Sequence, residues 1–317
     1  MRAAAALLAL AACRAGPLSG TGAGAGAGAG TGADGSNGAG AAPACPNPVV
    51  SAGDHDWTFP DPTGDRNVLV HVPKGYDGAK PLPLVLNFHG LGSDPTQEAL
   101  LSGMNAKADA EGFVVAYPRG LNASWNAGRC CAPSSSANVD DVGFVSRLLD
   151  RLSDELCVDP KRVFATGISN GGFLTNRLAC ELSSRIAAIA PVAGDVIVDA
   201  CTPSHPMAVL HFHGTSDVLV PYDGSALLGF PSAEDDVKAW AARDGCTGEP
   251  VESEKHPDAS CKTWSPCEGG AEVTLCTVTL GGHTWPGGFP VVTLGYTSPD
   301  LDATGLMWAF FARHPLR

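Results

Sequence analysis

A serine within a run of glycines is the first feature of this sequence that could do chemistry. Residues 163–174 read VFATGISNGGFL, in which Gly167, Ser169 and Gly171 match the pattern G-x-S-x-G. That pattern is typical of a sharp turn between a strand and a helix that exposes a serine hydroxyl as a nucleophile. An ordinary glycine-rich turn can match the same pattern, so a catalytic Ser169 needs a base and an acid elsewhere in the chain.

Candidates for the acid and the base follow later apolar runs. A serine becomes a nucleophile when a base removes its proton, and an acidic residue orients that base. The run MAVLHFHG leads into Asp217, and the run VTLCTVTL leads into His283, which lies between glycines and a Trp-Pro pair. Taken singly, Asp217 could cap a turn and His283 could lie on the surface. His211 and His213 could also replace the base, but their place in or next to the run before Asp217 favours a structural role.

The order of these residues along the chain favours a catalytic triad of Ser169, Asp217 and His283, because α/β hydrolases use the order Ser, Asp, His. Ester chemistry also needs N–H donors for the oxygen that becomes negative. The amide of Asn170, directly after the nucleophile, is one candidate, and the positive end of the following helix adds to it. We predict the Leu91 amide, within His89-Gly90-Leu91-Gly92, as the second donor; a simple glycine turn is the alternative.

Short apolar runs alternate with helical stretches from Val68 onward, which predicts an α/β fold with a single catalytic domain. Several runs are apolar throughout, as expected for strands buried on both faces of a mostly parallel sheet with helices on both sides. Ser169 would then lie at the carboxyl edge of the sheet, where such proteins bind ligands. The predicted strands are 68–73, 83–90, 113–118, 162–167, 186–194 and 207–214, and the predicted helices are 95–110, 140–155, 171–183, 233–244 and 302–313.

The N-terminus predicts export. The stretch MRAAAALLALAAC contains one cation, Arg2, and an apolar run too short to span a bilayer. Its end, Leu10-Ala11-Ala12-Cys13, resembles a bacterial lipobox, which favours a signal peptide over residues 1–12 and a lipid on Cys13. An ordinary signal peptide cleaved near Ala12 is the alternative.

The glycine- and alanine-rich segment that follows predicts a disordered tether over residues 13–44, because it has almost no large apolar side chains to bury. The catalytic domain is then predicted over residues 45–317. We find no second hydrophobic span, so we expect any membrane attachment at the N-terminus alone.

Composition excludes several classes of function. The formal net charge of −13 argues against a nucleic-acid partner, which would require a basic face. The sequence has no G-x-G-x-x-G after the first strand and no Gly-Lys-Ser/Thr loop, so neither a dinucleotide site nor a P-loop is predicted. The cysteines and histidines do not follow zinc-ligand spacing, and we predict no metal and no cofactor.

Eleven cysteines are many for a cytosolic chain and favour an oxidising compartment. With Cys13 set aside for the lipid, the ten others predict five disulfides. Strands around Cys261 and Cys276 flank the turn SPCEGG, so a hairpin would bring these two face to face. That pairing leaves Cys246 for Cys267.

The vicinal cysteines at 130–131 would be strained if they bonded to each other, so each should reach another part of the chain. Candidate partners lie near the helix predicted over 171–183 and the strand after it. The last two cysteines would staple the end of the tether onto the sheet domain. Ten cysteines allow many pairings, and among them we predict Cys131–Cys180, Cys130–Cys201 and Cys45–Cys157.

Several blocks of sequence between about Val68 and Pro315 resemble one known family. They are PLVLNFHGLGSD, SWNAGRCC, VDDVGFV, ATGISNGGFL, RIAAIAPVAG, LHFHGTSDVLVPY, GGHTWPGG and WAFFARHP. They resemble the secreted polyhydroxybutyrate depolymerase-like and feruloyl esterase family of serine esterases. The resemblance implies the α/β-hydrolase fold and an acyl-enzyme mechanism, with Ser169 as nucleophile, Asp217 as acid and His283 as base.

The same resemblance implies the class of substrate, which is feruloyl or acetyl esters of plant polysaccharide or short polyhydroxyalkanoate esters. This sequence lacks the fibronectin-like linker and substrate-binding domain of secreted polymer depolymerases, which argues against attack on solid polyester. We predict Trp125 and Trp285 at the rim of the cleft, since aromatic faces suit a feruloyl ring or a sugar. A packed structural role for both tryptophans is the alternative.

The leading hypothesis is therefore an extracellular carboxylic-ester hydrolase, expected to be a monomer that contacts membranes only through its lipid anchor. It would lie at the cell surface, face the periplasm or be released outside the cell. A peptidase or acyltransferase could use the same triad. A surface-tethered binding lipoprotein that has lost catalysis is a third hypothesis, against which the intact order of Ser169, Asp217 and His283 speaks.

Overall fold

The computed structural model of the chain describes Cys45 and residues 50–317. The predicted signal peptide, Cys13 and the predicted tether lie outside the described residues. Between residues 50 and 317, no helix is long and apolar enough to cross a bilayer.

Within residues 50–317, ten strands form one sheet, in the order β1-β2-β4-β3-β5-β6-β7-β10-β9-β8. The six central strands, from β4 to β10, run parallel to one another, and antiparallel strands pair on both sides of them. The strands are β1 (Gly53–Phe59), β2 (Arg66–Val72), β3 (Leu82–Phe88), β4 (Val114–Pro118), β5 (Val158–Ile168), β6 (Ala188–Val192), β7 (Ala208–Gly214), β8 (Val251–Lys255), β9 (Ala259–Trp264) and β10 (Val273–Val278).

Six α-helices of the described part of the chain cover the two faces of this sheet, which confirms the predicted α/β class with helices on both sides. Helices α3, α4 and α5 pack on one face through Phe144, Phe173 and Trp240. Helices α2 and α6 pack on the other face with α1, through Met104, Met307 and Phe311. The helices are α1 (Pro95–Ser102), α2 (Met104–Glu111), α3 (Asp141–Glu155), α4 (Asn170–Glu181), α5 (Ala233–Arg243) and α6 (Ala303–Arg313), and short 3-10 turns lie at Leu121–Ala123, Ser183–Arg185, Glu268–Gly270 and Val292–Leu294.

The single helix predicted over 95–110 is two helices. Gly103 has a φ of 60°, and its amide donates to the carbonyl of Ala99, which ends α1 with a left-handed residue. Glycine adopts this conformation without the steric cost that a side chain adds, so it is a common stop signal.

Three of the five predicted disulfides are confirmed: Cys45–Cys157, Cys246–Cys267 and Cys261–Cys276. The predictions Cys131–Cys180 and Cys130–Cys201 were wrong. Cys180, in the last turn of α4, bonds to Cys201 in the loop after β6, with their Cα atoms 4.6 Å apart. Because that distance suits a disulfide, these two cysteines satisfy each other. The neighbours Cys130 and Cys131, with Cα atoms 3.0 Å apart, bond to each other.

This pairing can be tested by peptide mapping and by unfolding. Replacing both Cys180 and Cys201 by serine is expected to lower the free energy of unfolding by about 3 kcal/mol, because the bond closes a loop of moderate length. Denaturant titration measures this loss. A digest of the unreduced protein should contain a peptide with both Cys130 and Cys131 that is two hydrogens lighter than the dithiol. A cross-link from Cys130 to Cys201 would contradict the pairing.

Candidate active site

Ser169 lies in a strained turn between β5 and α4. Its φ of 59° and ψ of −122° are rarely adopted by residues other than glycine, and such strain is common at functional sites. Its amide donates to the carbonyl of Val192 at the end of β6, with a distance of 2.9 Å. The side chain is partly exposed at the carboxyl edge of the sheet. This is the strand–turn–helix setting that the G-x-S-x-G motif requires.

The glycines of the motif are needed because neighbouring strands come close to the turn. A Cβ added at Gly167 or at Gly171 would overlap the carbonyl oxygen of Phe88, at the end of β3. A Cβ at Gly172 would lie 2.8 Å from the carbonyl oxygen of Val192. The elbow therefore packs directly on the backbone of β3 and β6.

His283 and Asp217 form a buried hydrogen-bonded pair beyond β10 and β7. His283 Nδ1 lies 2.7 Å from Asp217 Oδ2. The other carboxylate oxygen, Oδ1, accepts from the amides of Leu219 and Val220 at 2.8 and 2.9 Å. Because an ionised carboxylate only accepts, the hydrogen bond assigns the imidazole proton to Nδ1. In the neutral imidazole, Nε2 is then the nitrogen without a proton, which is the form that a general base requires.

The environment of Asp217 keeps its carboxyl ionised. Burial alone would raise its pKa, but the neighbouring His283, His213 and the Val220 amide outweigh burial and lower the pKa below the usual value. The sign follows from the hydrogen bonds that the carboxylate accepts from His283 and the Val220 amide, which favour the charged form. A charged Asp217 can stabilise an imidazolium at His283.

The Ser169 hydroxyl and Nε2 of His283 form no hydrogen bond with any group in the part of the chain that the structure describes. Hydrogen bonds between catalytic groups are often long without substrate and tighten when it binds. Both atoms are therefore available to a substrate.

The loop after β3 lies beside Ser169, where an oxyanion-binding segment would have to lie. A Cβ placed on Gly90 would lie 3.5 Å from the Cβ of Ser169. The Leu91 amide forms no hydrogen bond within residues 50–317. Asn170 is the first residue of α4, so its amide has no partner inside the helix. These two amides are the donors that the sequence suggested.

His89 holds this loop in place. Its Nδ1 lies 2.8 Å from the carbonyl oxygen of Gly90, and its Nε2 accepts from the amide of Gly120 at 3.0 Å. Burial lowers the pKa of His89 to about 4, so the ring is neutral and can donate on one side and accept on the other.

The prediction that Trp125 and Trp285 lie at the rim of the cleft was wrong. Both side chains are fully buried. The indole N–H of Trp125 donates to the carbonyl of His89, and that of Trp285 donates to Thr304 Oγ1, each at 3.0 Å. Since each indole N–H has a partner, neither ring needs to remain in contact with water.

Trp125 instead binds the side chain of Asn170, a residue for which the sequence analysis considered only the backbone amide. The Asn170 side chain accepts from the Trp125 amide at 2.7 Å and donates to the Trp125 carbonyl at 3.0 Å. This pair ties the first residue of α4 to the segment after β4. A G-x-S-N-G sequence contains the asparagine, but not the partner to which it bonds.

Two cavities in the described residues lie away from this site. One cavity of about 320 Å³ lies between β8, β9, β10 and α6, and another of about 290 Å³ lies near the C-terminal residues 313–317. Neither is lined by Ser169, Asp217 or His283.

The sheet order and the elbow define an α/β-hydrolase fold, and comparison with known proteins gives the family. The profile of the family described as "Esterase PHB depolymerase" matches residues 68–231, which is just over half of the chain. The chain therefore belongs to the esterase PHB depolymerase family, as the sequence blocks suggested.

Individual relatives agree with this assignment. Feruloyl esterase B of Piromyces equi is 36% identical over 234 residues, and the match covers 69% of this chain but only 42% of that protein. The putative esterase NocK of Nocardia uniformis subsp. tsuyamanensis is 35% identical over 234 residues, with 66% and 67% covered. The solved acetyl xylan esterase from Aspergillus awamori has the same fold, with a TM-score of 0.56 at 16% identity over 81% of this chain and 99% of that one.

The packing of the elbow predicts that Gly171→Ala destabilises the protein. The added methyl group would force the Phe88 carbonyl or α4 to move, at a cost of about 1–3 kcal/mol. Chemical denaturation measures the change. Gly90→Ala is the control, because a Cβ there meets its nearest atom only at 3.5 Å, in ordinary contact. Equal unfolding midpoints for the two variants would contradict the close approach.

Proposed function

We propose that this chain is a serine esterase that hydrolyses carboxylic esters through an acyl-enzyme. The observation that carries the proposal is a serine held in a strained elbow on a sheet that also positions a histidine–aspartate pair with a 2.7 Å hydrogen bond. Membership of an esterase family supports it. We assign Ser169 as the nucleophile, His283 as the base and Asp217 as the acid.

The proposed reaction has two halves. Ser169 Oγ attacks the ester carbonyl while Nε2 of His283 takes the hydroxyl proton, and Asp217 stabilises the imidazolium. The amides of Leu91 and Asn170 donate to the carbonyl oxygen as it becomes negative. The ester C–O bond breaks, and the imidazolium returns its proton to the leaving alcohol. Water then attacks the acyl-enzyme while His283 again takes a proton as base. The bond from the acyl group to Ser169 Oγ breaks, the imidazolium returns its proton to Oγ, and the carboxylic acid is released.

We propose feruloyl or acetyl esters of plant polysaccharide as the substrates, with short hydroxyalkanoate esters as the second candidate. Relatives named feruloyl esterase and acetylxylan esterase, and the name of the family itself, support these two classes. The chain spans less than half the length of the feruloyl esterase B that it matches, so the substrate class is inferred from shared sequence and not from a matching whole protein. A peptidase or acyltransferase would use the same residues on another acyl donor or acceptor.

We further propose that the protein is exported, with a signal peptide over residues 1–12, a lipid on Cys13, a tether over 13–44, and the catalytic domain over 45–317, which acts as a monomer. Five disulfides in the described residues support an oxidising location. The apolar N-terminal run before Cys13 supports the lipid anchor.

Ser169→Ala tests the catalytic proposal. The purified protein should hydrolyse methyl ferulate or acetylated xylan, and the variant should lose about 10⁴–10⁶-fold in kcat, because no other group replaces the nucleophile. A fluorophosphonate probe should label the wild type and not the variant. Retention of a tenth of the activity would exclude Ser169 as nucleophile, and a wild type that neither labels nor hydrolyses any ester would support the inactive binding lipoprotein.

Cys13→Ser tests the anchor. The full-length protein should move from the membrane fraction to the soluble fraction in the host that lipidates it, because the acyl chains are lost. Its esterase activity should persist, since the proposed tether separates Cys13 from the catalytic domain. Unchanged fractionation would contradict the lipid on Cys13.

A further inference from the structure

Two buried histidines lie next to the candidate acid, and the proposed mechanism does not use them. His211 and His213 lie on the same face of β7, because they are two residues apart on a strand. Both are shielded from solvent. His213 Nε2 lies 2.8 Å from the carbonyl oxygen of Val220, and His213 Nδ1 lies 3.1 Å from His211 Nε2. The pair therefore joins the strand to the loop that carries Asp217.

The hydrogen bonds determine where the protons lie. A carbonyl oxygen can only accept, so His213 carries its proton on Nε2. Burial, followed by the neighbouring His211, lowers the pKa of His213 to about 4, so the ring is neutral and its Nδ1 has a free lone pair. That lone pair must accept from His211 Nε2–H. The tautomer of each ring at this contact is thus set by its neighbour.

His211 is flanked by two carboxyl groups. Asp236 Oδ2 lies 3.6 Å from His211 Nδ1, and the other oxygen of Asp236 accepts from the Val196 amide at 2.9 Å. Asp195 Oδ1 lies 3.8 Å from His211 Nε2. Burial, with the charges of Asp236 and Asp217, raises the pKa of Asp195 well above its usual value. A neutral Asp195 has no negative charge that would draw the Nε2 proton of His211 away from His213.

The same residues have the composition of a metal site. Asp195, His211 and His213 offer ligand atoms within 4.8 Å of one another, and a carboxylate with two imidazoles is a common ligand set. The planes of the two rings, however, are nearly parallel, with 9° between them, and the ring centroids are 5.3 Å apart. The centroid separation is close to the 3.1 Å between the two nitrogens plus the distance from each nitrogen to the centroid of its own ring. Both nitrogens therefore lie near the line that joins the centroids and point at each other. Two ligands of one ion would instead both point at a third position, so the geometry favours an N–H···N hydrogen bond.

His213 binds the carbonyl of Val220, the residue whose amide binds the acid. The amide of Val220 donates to Asp217 Oδ1 at 2.9 Å, and the carbonyl of Val220 accepts from His213 at 2.8 Å. The same Nε2 of His213 lies 3.8 Å from Asp217 Oδ2, the oxygen that binds His283. A shift of Val220 would therefore move the carboxylate that orients the base.

We propose that His213 is a positioning residue for Asp217, and that His211 fixes the His213 tautomer that this role requires. His213 holds the Val220 carbonyl, and through it the loop at 217–220 that aims the carboxylate at His283. The inference rests on the proposed function, because it concerns catalysis only if Asp217 orients the base.

Two amide variants separate the two ring nitrogens of His213. The side-chain nitrogen of glutamine can reach the position of Nε2, and the side chain of asparagine reaches only the position of Nδ1. His213→Gln should therefore keep the bond to Val220 and retain kcat to within a few-fold. His213→Asn should keep a contact with His211 but lose Val220, and kcat should fall about 10²-fold with KM unchanged, since small misplacements of this kind have that effect. Equal activity of the two variants would overturn the proposal.

Combination with Asp217→Asn shows whether His213 acts through the acid. Asp217→Asn alone should lower kcat about 10⁴-fold. Adding His213→Asn should lower it by no more than a few-fold further, because residues that act as one unit have non-additive effects. Losses that multiply would overturn the positioning role. A fully active Asp217→Asn would refute the proposed function, whereas an inactive Asp217→Asn beside a fully active His213→Asn overturns only this inference.

The wild-type protein provides a test that does not depend on the folding of a variant. Nitrogen-15 NMR should show both His211 and His213 protonated on Nε2. Protonation of His213 on Nδ1 would overturn the proposal. So would one equivalent of metal that remains bound after dialysis against a chelator and is lost in His213→Gln.

Discussion

The candidate site depends on the close approach of the Phe88 carbonyl to the backbone of Gly167 and Gly171. A parallel sheet places the ends of neighbouring strands side by side, and here the end of β3 fills the space that two side chains would otherwise occupy. The turn between β5 and α4 can then be tight enough to hold Ser169 at a φ of 59°. The strain at the serine is maintained because packing on β3 and β6 leaves the turn little room to relax.

The same contact places the donors of the proposed oxyanion site. Because β3 ends against the elbow, the loop that follows it emerges next to Ser169. The buried ring of His89 joins the start of that loop, at Gly90, to the backbone of Gly120. The Asn170 side chain binds both backbone groups of Trp125, whose indole binds His89. The two proposed donors are therefore held by one connected set of buried hydrogen bonds, as preorganised stabilisation of a charge requires.

The aspartate–histidine pair is supported in a comparable way by a side chain of β7. Asp217 accepts hydrogen bonds from two amides of its own loop, and His213 on β7 in turn binds a carbonyl of that loop. His213 is a buried polar residue of β7 whose partner lies in the loop at the carboxyl edge of the sheet. This explains why a sheet strand contains histidines at positions where apolar residues would be expected.

Much of the fold and of the candidate site could be read from the sequence, because the signals are local. Apolar runs with turn residues between them located the central strands to within a few residues, and the G-x-S-x-G motif located the elbow. The edge strands were missed for the same reason. Strand β1 alternates partly buried and exposed residues, and β8 is exposed at every position, so neither contains an apolar run.

Tertiary structure decided the features that depend on which distant residues meet. An indole does not reveal from its sequence whether its N–H will find a buried acceptor, and Trp125 and Trp285 both do. Cysteine pairing depends on Cα distances across the fold, which is why Cys180 bonds to Cys201 and leaves Cys130 with Cys131. The residue types and their order along the chain thus determined the chemistry that the site can offer. Packing decided which of those side chains face the substrate and which hold the others in place, because burial and hydrogen bonding are properties of residues far apart in the sequence.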